Sequence, residues 1–243
     1  TMTNQKDTLY QTVDGLPGSF RFDARVAVVF EDMISRSVPG YQQILQLLPT
    51  LTRAFYRPDS NYYDLGCSLG AGLLAMHTGF DQRKARLIGI DNSTAMLAEA
   101  EQNLSHLNQD TLELVLQDLQ DTVFEPAQMV LMNFTLQFIP LADRQALLER
   151  IFASLHPGGV LVLSEKLKFS DSDTADLMAS IHYQYKKDQD YSELEISKKR
   201  DAIDNVLIPE TLEEHTSRLR SAGFKTITPW IQNLQFISLL AVK

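Results

Sequence analysis

The segment Tyr62-Tyr63-Asp64-Leu65-Gly66-Cys67-Ser68-Leu69-Gly70-Ala71-Gly72, followed by Ile88-Gly89-Ile90-Asp91 and later by Asp118, constrains the fold of this chain more than any other feature. A short apolar strand ends in a glycine-rich turn, and the next strand ends in a carboxylate. Strand–turn–helix units of this kind, laid side by side, build a doubly wound sheet. The glycine turn lets backbone approach a ligand, and the second-strand carboxylate accepts hydrogen bonds from ribose hydroxyls. The pattern predicts a nucleoside site at one edge of a sheet and leaves open which nucleoside it takes.

The alternation continues through most of the chain. Apolar spacing predicts helices between Phe22 and Phe55, with Val26, Val29, Phe30 and Met33 on one face and Ile44, Leu45, Leu48 and Leu51 on another, divided by Pro39-Gly40. Strands are expected at Tyr62–Leu65, Arg86–Asp91, Leu112–Leu116, Met129–Phe134 and Val160–Ser164. Helices are expected from Gly70, over Ser93–Leu107 with Asn92 or Ser93 as cap, and over Leu141–Leu155, closed by Pro157-Gly158-Gly159. Residues 171–205 are polar and read as helical, with Ser170 or Asp171 as cap and apolar spacing at Ala175, Leu177, Met178, Ile181 and Tyr185. A helix over Pro209–Ala222 ends at Gly223. Phe224–Ile231 and Leu234–Val242 follow with only Gln232-Asn233 between them, and two residues can join antiparallel strands but not parallel ones. The fold class is therefore α/β: a mostly parallel seven-stranded sheet closed by a C-terminal antiparallel hairpin. An N-terminal arm (residues 1–20) and capping helices fill positions 1–55. The sheet domain spans 56–243, with a helical insert at about 170–208.

Composition narrows the function classes. With 44% hydrophobic residues, 243 residues can bury one sizeable core. The net charge of −9 argues against direct nucleic-acid binding, which draws its affinity from Lys and Arg on phosphates. The single cysteine, Cys67, excludes an intramolecular disulfide and a multi-cysteine zinc site. His77, His106, His156, His182 and His215 are scattered without metal-ligand spacing and read as structural or surface residues, so no metal is expected. No apolar run reaches the ~20 residues of a membrane span, and residues 1–20 lack the pattern of a secretory leader, so a soluble cytoplasmic protein is expected.

The glycine turn has two readings. Gly70-x-Gly72-x-x-Ala75 formally matches a dinucleotide fingerprint but starts beyond the strand end, whereas Asp64, Gly66, Gly70 and Gly72 form a D-x-G-x-x-x-G-x-G pattern that begins at it. This second pattern resembles motif I of class I S-adenosylmethionine-dependent methyltransferases. Ile90-Asp91 resembles their acidic ribose-binding strand end, Gln117-Asp118 their adenine-binding position, and His156-Pro157-Gly158-Gly159 their turn before the fifth strand. A closer resemblance, to the carboxy-S-adenosyl-L-methionine synthases, is carried by segments from nearly the whole chain. They include Phe22-Asp23, Ser37-Val38-Pro39-Gly40-Tyr41, Asn133-Phe134-Thr135-Leu136-Gln137-Phe138, Leu163-Ser164-Glu165-Lys166, and Tyr191-Ser192-Glu193-Leu194-Glu195-Ile196-Ser197 with Lys199-Arg200.

That resemblance implies a Rossmann-like methyltransferase fold in which S-adenosyl-L-methionine is substrate rather than methyl donor. Prephenate would be the second substrate, and carboxy-S-adenosyl-L-methionine, phenylpyruvate and water the products. A downstream tRNA carboxymethyltransferase would spend the product on 5-oxyacetyl wobble uridine. It also implies a homodimer, for which Val28, Val29 and Phe30 offer one apolar surface. A plain small-molecule methyltransferase and a non-catalytic nucleoside carrier are the alternatives.

Each candidate residue carries a plain reading beside its functional one. Asp91 either caps the following helix or holds the ribose, with Asn92 on the adenine side. Asp118-Leu119 either forms a surface loop or holds the adenine. Gly66, Cys67 and Ser68 would lie along the methionine part, although Cys67 is equally a small buried hydrophobe. Asn133 makes either a structural hydrogen bond or a ligand contact at a strand's C-terminal end. Tyr41 is either packing or a lid. Arg200, on composition alone, belongs to a solvated helix face. The resemblance makes it the catalytic residue, a guanidinium that grips the added carboxylate through paired hydrogen bonds.

Overall fold

The computed structural model describes residues 5–11, 21–204 and 206–243. Seven strands form one sheet: β1 (Asn61–Leu65), β2 (Arg86–Asp91), β3 (Leu112–Leu116), β4 (Ala127–Asn133), β5 (Leu155–Lys166), β6 (Thr226–Asn233) and β7 (Phe236–Val242). Their order is β3-β2-β1-β4-β5-β7-β6. The first five pair in parallel, and β7 runs antiparallel between β5 and β6. The helices are α1 (Ala24–Ser37), α2 (Tyr41–Ala54), α3 (Ala71–Gly79), α4 (Thr94–Asn103), α5 (Leu141–Ser154), α6 (Ser172–Asp188), α7 (Glu193–Ile203) and α8 (Leu212–Ala222).

The period of two along β4 divides the core. Met129 and Leu131 pack with Leu48, Leu73, Met76 and Val162 on one face of the sheet. Val130 and Met132 pack with Leu147, Ile151, Leu163 and Leu219 on the other. Helices thus cover both faces, as a parallel sheet requires. From β1 the chain winds outward to β2 and β3, and from β4 it winds the opposite way to β5. The sheet order therefore reverses between β1 and β4, and ligands of open α/β sheets bind outside the carboxyl ends at such a switch point.

Several boundaries differ from expectation for local reasons. The final helix begins at Leu212, not Pro209: the Thr211 side chain caps it reciprocally with Glu214, while Glu210 pairs with Leu167. The hairpin turns at Leu234-Gln235 rather than Gln232-Asn233, because the latter pair with Ile237 and Phe236. Leu155 through Gly159 belong to β5, so Pro157-Gly158-Gly159 does not separate helix from strand. Helix α4 stops at Asn103, short of the expected Leu107, and Ser93 is its cap. Val29 and Phe30 are buried within the chain, Phe30 beside Met33, Met96 and Ala202, so they cannot form the expected dimer surface; only Val28 of that trio is exposed. The expected arm over 1–20 lies outside the described residues except at 5–11, where Asp7 and Tyr10 are buried rather than loose.

Candidate active site

A cavity of about 510 Å³ opens at the carboxyl edge of the sheet, at the switch point. It falls in the range of roughly 300–1,000 Å³ that holds small ligands. A smaller space of about 30 Å³ shares its walls at Phe30, Ile34, Gly66, Ser68 and Asn133. The sequence candidates Gly66, Ser68, Asp91, Asn92, Asp118, Leu119, Asn133 and Arg200 line the larger space; Tyr41 and Cys67 line the smaller one. Residues spread over most of the chain therefore meet at one place.

The turn after β1 is shaped by backbone. Gly66 has φ of 74°, and a Cβ there would collide with the Thr135 side chain. Ser68 also takes a left-handed φ of 48°. Its N–H donates to Asp91 Oδ2 at 2.9 Å, and the Ser93 N–H donates to Asp91 Oδ1 at 2.9 Å. Asp91 is thus fixed by the two turns it joins. A carboxylate offers about four acceptor positions, so it keeps capacity for two ribose hydroxyls. Since Ser93 Oγ caps α4, the capping role does not fall to Asp91. Asn92 Nδ2 donates to Asp118 Oδ1 at 2.8 Å and ties the ends of β2 and β3 together.

At β4, Asn133 Oδ1 is buried and accepts no hydrogen bond among the described residues. A buried acceptor without a donor is costly, and this one lies on the wall of both spaces, where an ammonium donor would satisfy it. Phe134 follows with a left-handed φ of 59°. Asp64, behind the turn, is pushed up to about 7 by burial and by the Asp91 charge. A Cβ on Gly72 would come within 2.5 Å of its Oδ2, so the glycine makes room for that carboxyl. The Tyr41 hydroxyl is raised by burial and by Asp64. Burial likewise pushes the Cys67 thiol well up, which makes it a packing group rather than a nucleophile.

Opposite this acidic side the cavity is lined by cations that the sequence candidates did not include, Arg200 excepted. Helix α6 presents Ala179, His182, Tyr183 and Lys186, and α7 presents Ile196, Lys199, Arg200 and Ile203; both are i, i+3, i+4, i+7 stripes on one helix face. Part of the apolar spacing noted in the sequence of α6 faces outward: Leu177 and Ile181 are exposed, Ala175, Met178 and Tyr185 are half-buried, and His182 is its buried residue. The end of β5 adds Lys166. Burial, reinforced by Lys166 and Arg200, lowers Lys186 to about 8. Burial also lowers Lys199 to about 7 and, with Lys186 beside it, His182 to about 3. His182, read from sequence as a structural or surface residue, is buried, and its Nε2 lies 2.7 Å from Ser37 O.

Lys199 and Arg200 differ although they are neighbours. Lys199 is 7% exposed and donates to Ser37 Oγ at 2.6 Å, anchoring α7 to α1. The Arg200 side chain is 63% exposed; its nearest acid, Asp201, lies 4.0 Å away. A second anchor holds the wall below: Arg144, fully buried, donates to Gln137 O, Ile139 O, Ile208 O and Glu210 Oε2. Among the described residues no cluster of His, Cys, Asp and Glu is placed to hold a metal, and no helix is long and apolar enough to cross a membrane.

Residues 63–159 match a methyltransferase domain family. The carboxy-S-adenosyl-L-methionine synthase of Shewanella amazonensis is 51% identical over 243 residues, covering all of both chains. That of Hahella chejuensis is 44% identical over 248 residues, again covering all of both. Among solved structures, an O-methyltransferase family protein from Burkholderia thailandensis superposes with a TM-score of 0.65 at 16% identity. It matches 91% of this chain, which spans 60% of its length.

Proposed function

The chain belongs to the carboxy-S-adenosyl-L-methionine synthase family, and we propose that it converts S-adenosyl-L-methionine and prephenate to carboxy-S-adenosyl-L-methionine, phenylpyruvate and water. The observation that carries this reading is the charge arrangement of one cavity. Acids that suit a nucleoside stand on one side, and a largely unpaired guanidinium stands on the other. Methyl transfer alone gives Arg200 no task, whereas a carboxylate added to the methyl carbon gives it one.

The residues present fit S-adenosylmethionine. Asp91 takes the ribose, Asn92, Asp118 and Leu119 the adenine, and Gly66, Cys67 and Ser68 the methionine chain beneath the Tyr41 lid. Asn133 Oδ1 receives the ammonium. The reaction's chemistry belongs to its two substrates. Prephenate loses carbon dioxide and hydroxide as its ring becomes aromatic; hydroxide takes a proton from the sulfonium methyl, forming water, and the methyl carbon bonds the carbon dioxide. The protein supplies position, a closed volume and a cation for the new carboxylate. No histidine is required, in keeping with a His182 that burial holds neutral.

Incubation of the chain with both substrates, read by mass spectrometry, tests this. The expected product is S-adenosylmethionine heavier by one carbon dioxide, with stoichiometric phenylpyruvate. S-adenosylhomocysteine, or no turnover, counts against it. Arg200→Ala should abolish product retention while leaving S-adenosylmethionine binding within a few-fold. The same reading includes a cytoplasmic homodimer that passes its product to a tRNA carboxymethyltransferase. Leu177 and Ile181, one turn apart on α6 and both exposed, offer one apolar surface for pairing.

A further inference from the structure

Lys166 and Lys186 have no ion pair and no hydrogen-bond acceptor for their ammonium groups among the described residues, although both are partly withdrawn from water in a chain of net charge −9. The charged groups around them are Arg200, Lys199 and the single acid Asp204, with neutral His182 between. Four cations converging with one acid leave an excess of positive charge that water alone compensates poorly. The carboxyl edge of the sheet is graded in the same sense. It runs from Asp118 after β3 and Asp91 on β2, through Gly66 on β1 and Asn133 on β4, to Lys166 on β5. Strands lie ~4.8 Å apart, which places Lys166 roughly 14 Å along the edge from Asp91, beyond the methionine position.

An aromatic wall stands beside the lysines. Phe236 is the register partner of Lys166 across β5 and β7. Its ring meets those of His182 at 5.0 Å and Phe134 at 6.1 Å, and all three residues line the cavity. A cation pair next to a ring-lined wall is suited to an organic anion that carries a six-membered ring and a carboxylate on a short arm.

We propose that Lys166 and Lys186 form an anion subsite for the side-chain carboxylate of a ring-bearing 2-oxo acid, the part of the second substrate that survives into the product. This rests on the proposed reading of the reaction and deepens it. A cation clamped on the departing carboxylate would hold it as an anion and oppose loss of carbon dioxide, so the lysines belong on the carboxylate that stays. Arg200 is left to receive the one that moves.

Phenylpyruvate is the probe, since it keeps only the retained carboxylate and needs no turnover. Its affinity for the S-adenosylmethionine-loaded protein is measured by calorimetry for wild type, Lys166→Met, Lys186→Met, the double variant and Lys186→Arg. Methionine keeps the buried stem and folding is checked by melting. Each Met variant should bind phenylpyruvate about tenfold more weakly, the double variant more weakly still, and Lys186→Arg should recover most of the loss. S-adenosylmethionine affinity should stay within twofold throughout. Binding at pH 8 should take up protons in wild type and fewer in Lys186→Met. Equal phenylpyruvate affinity in wild type and double variant, or none in wild type, overturns the subsite. If wild type fails to turn over prephenate but its phenylpyruvate binding depends on the lysines, the subsite stands and the synthase reading falls. Turnover with an unchanged KM for prephenate in the double variant has the opposite meaning.

Discussion

The two sides of the cavity are built by different means. The nucleoside side is made by backbone: a left-handed Gly66 and Ser68, two N–H groups on Asp91, and strand ends set by ladder register. The cationic side is made by side chains from β5, α6 and α7, with α6 otherwise largely exposed. The first is generic to nucleoside-binding sheets. The second is where the proposed reaction would be specified. On the proposed reading the sheet edge holds the common part of two related ligands and the helices α6 and α7 distinguish them.

The largest effect that would break this contrast concerns stability. Arg144→Ala would leave Glu210 with Arg218 alone and Ile139 O and Ile208 O without a donor, while Gln137 O keeps the Ile208 N–H, at a cost of about 3–5 kcal/mol. Differential scanning calorimetry should show a melting point lower by roughly 10 °C. An unchanged melting point would mean that the wall carrying Gln137 and Ile139 is held by something else. Next, Asp91→Ala should weaken S-adenosylmethionine and its carboxylated form equally, by about 1.5–3 kcal/mol each. Unequal losses in calorimetry would show that the nucleoside side also discriminates between them. Leu177→Glu should convert a dimer to a monomer in light scattering if the exposed face of α6 is the paired one; a persistent dimer places the interface elsewhere.

The smallest effect is a titration. Burial lifts Asp64 to about 7 in the folded chain from an ordinary 3.8. A raised carboxyl binds more protons folded than unfolded, so its stabilising contribution is full below pH 3.8 and fades as pH rises through 7. S-adenosylmethionine brings an ammonium and a sulfonium, which should release that proton. Calorimetry near pH 7 in buffers of different ionisation enthalpy should detect release of a fraction of one proton, lost in Asp64→Asn. No buffer dependence would place the Asp64 carboxyl out of electrostatic reach of the ligand.

The nucleoside side was legible because its residues sit at fixed offsets from strand ends, where local sequence dictates geometry: Gly66 after Leu65, and Asp91 closing β2. The sheet and its closing hairpin were legible for the same reason, through apolar runs and short turns. The cationic side was not. Lys166, Lys186 and Lys199 belong to three elements and individually look like solvated charge. The α6 stripe of Ala179, His182, Tyr183 and Lys186 has helical spacing but little hydrophobicity, so apolar periodicity passed over it and included the exposed Leu177 and Ile181. Val29 and Phe30 misled for a related reason: an apolar cluster does not reveal whether it meets its own chain or another. Asp7 was beyond reach, since only the folded chain brings it to Tyr191.

That last contact has a kinetic meaning. Asp7 accepts from the Tyr191 hydroxyl at 2.5 Å, and Arg36 stacks on the same ring at 3.9 Å. Both hold the start of α7, the helix that carries Arg200. If Arg200 holds the product as proposed above, the junction of α7 with Asp7 and Arg36 bears on how long the product stays, away from any atom that reacts.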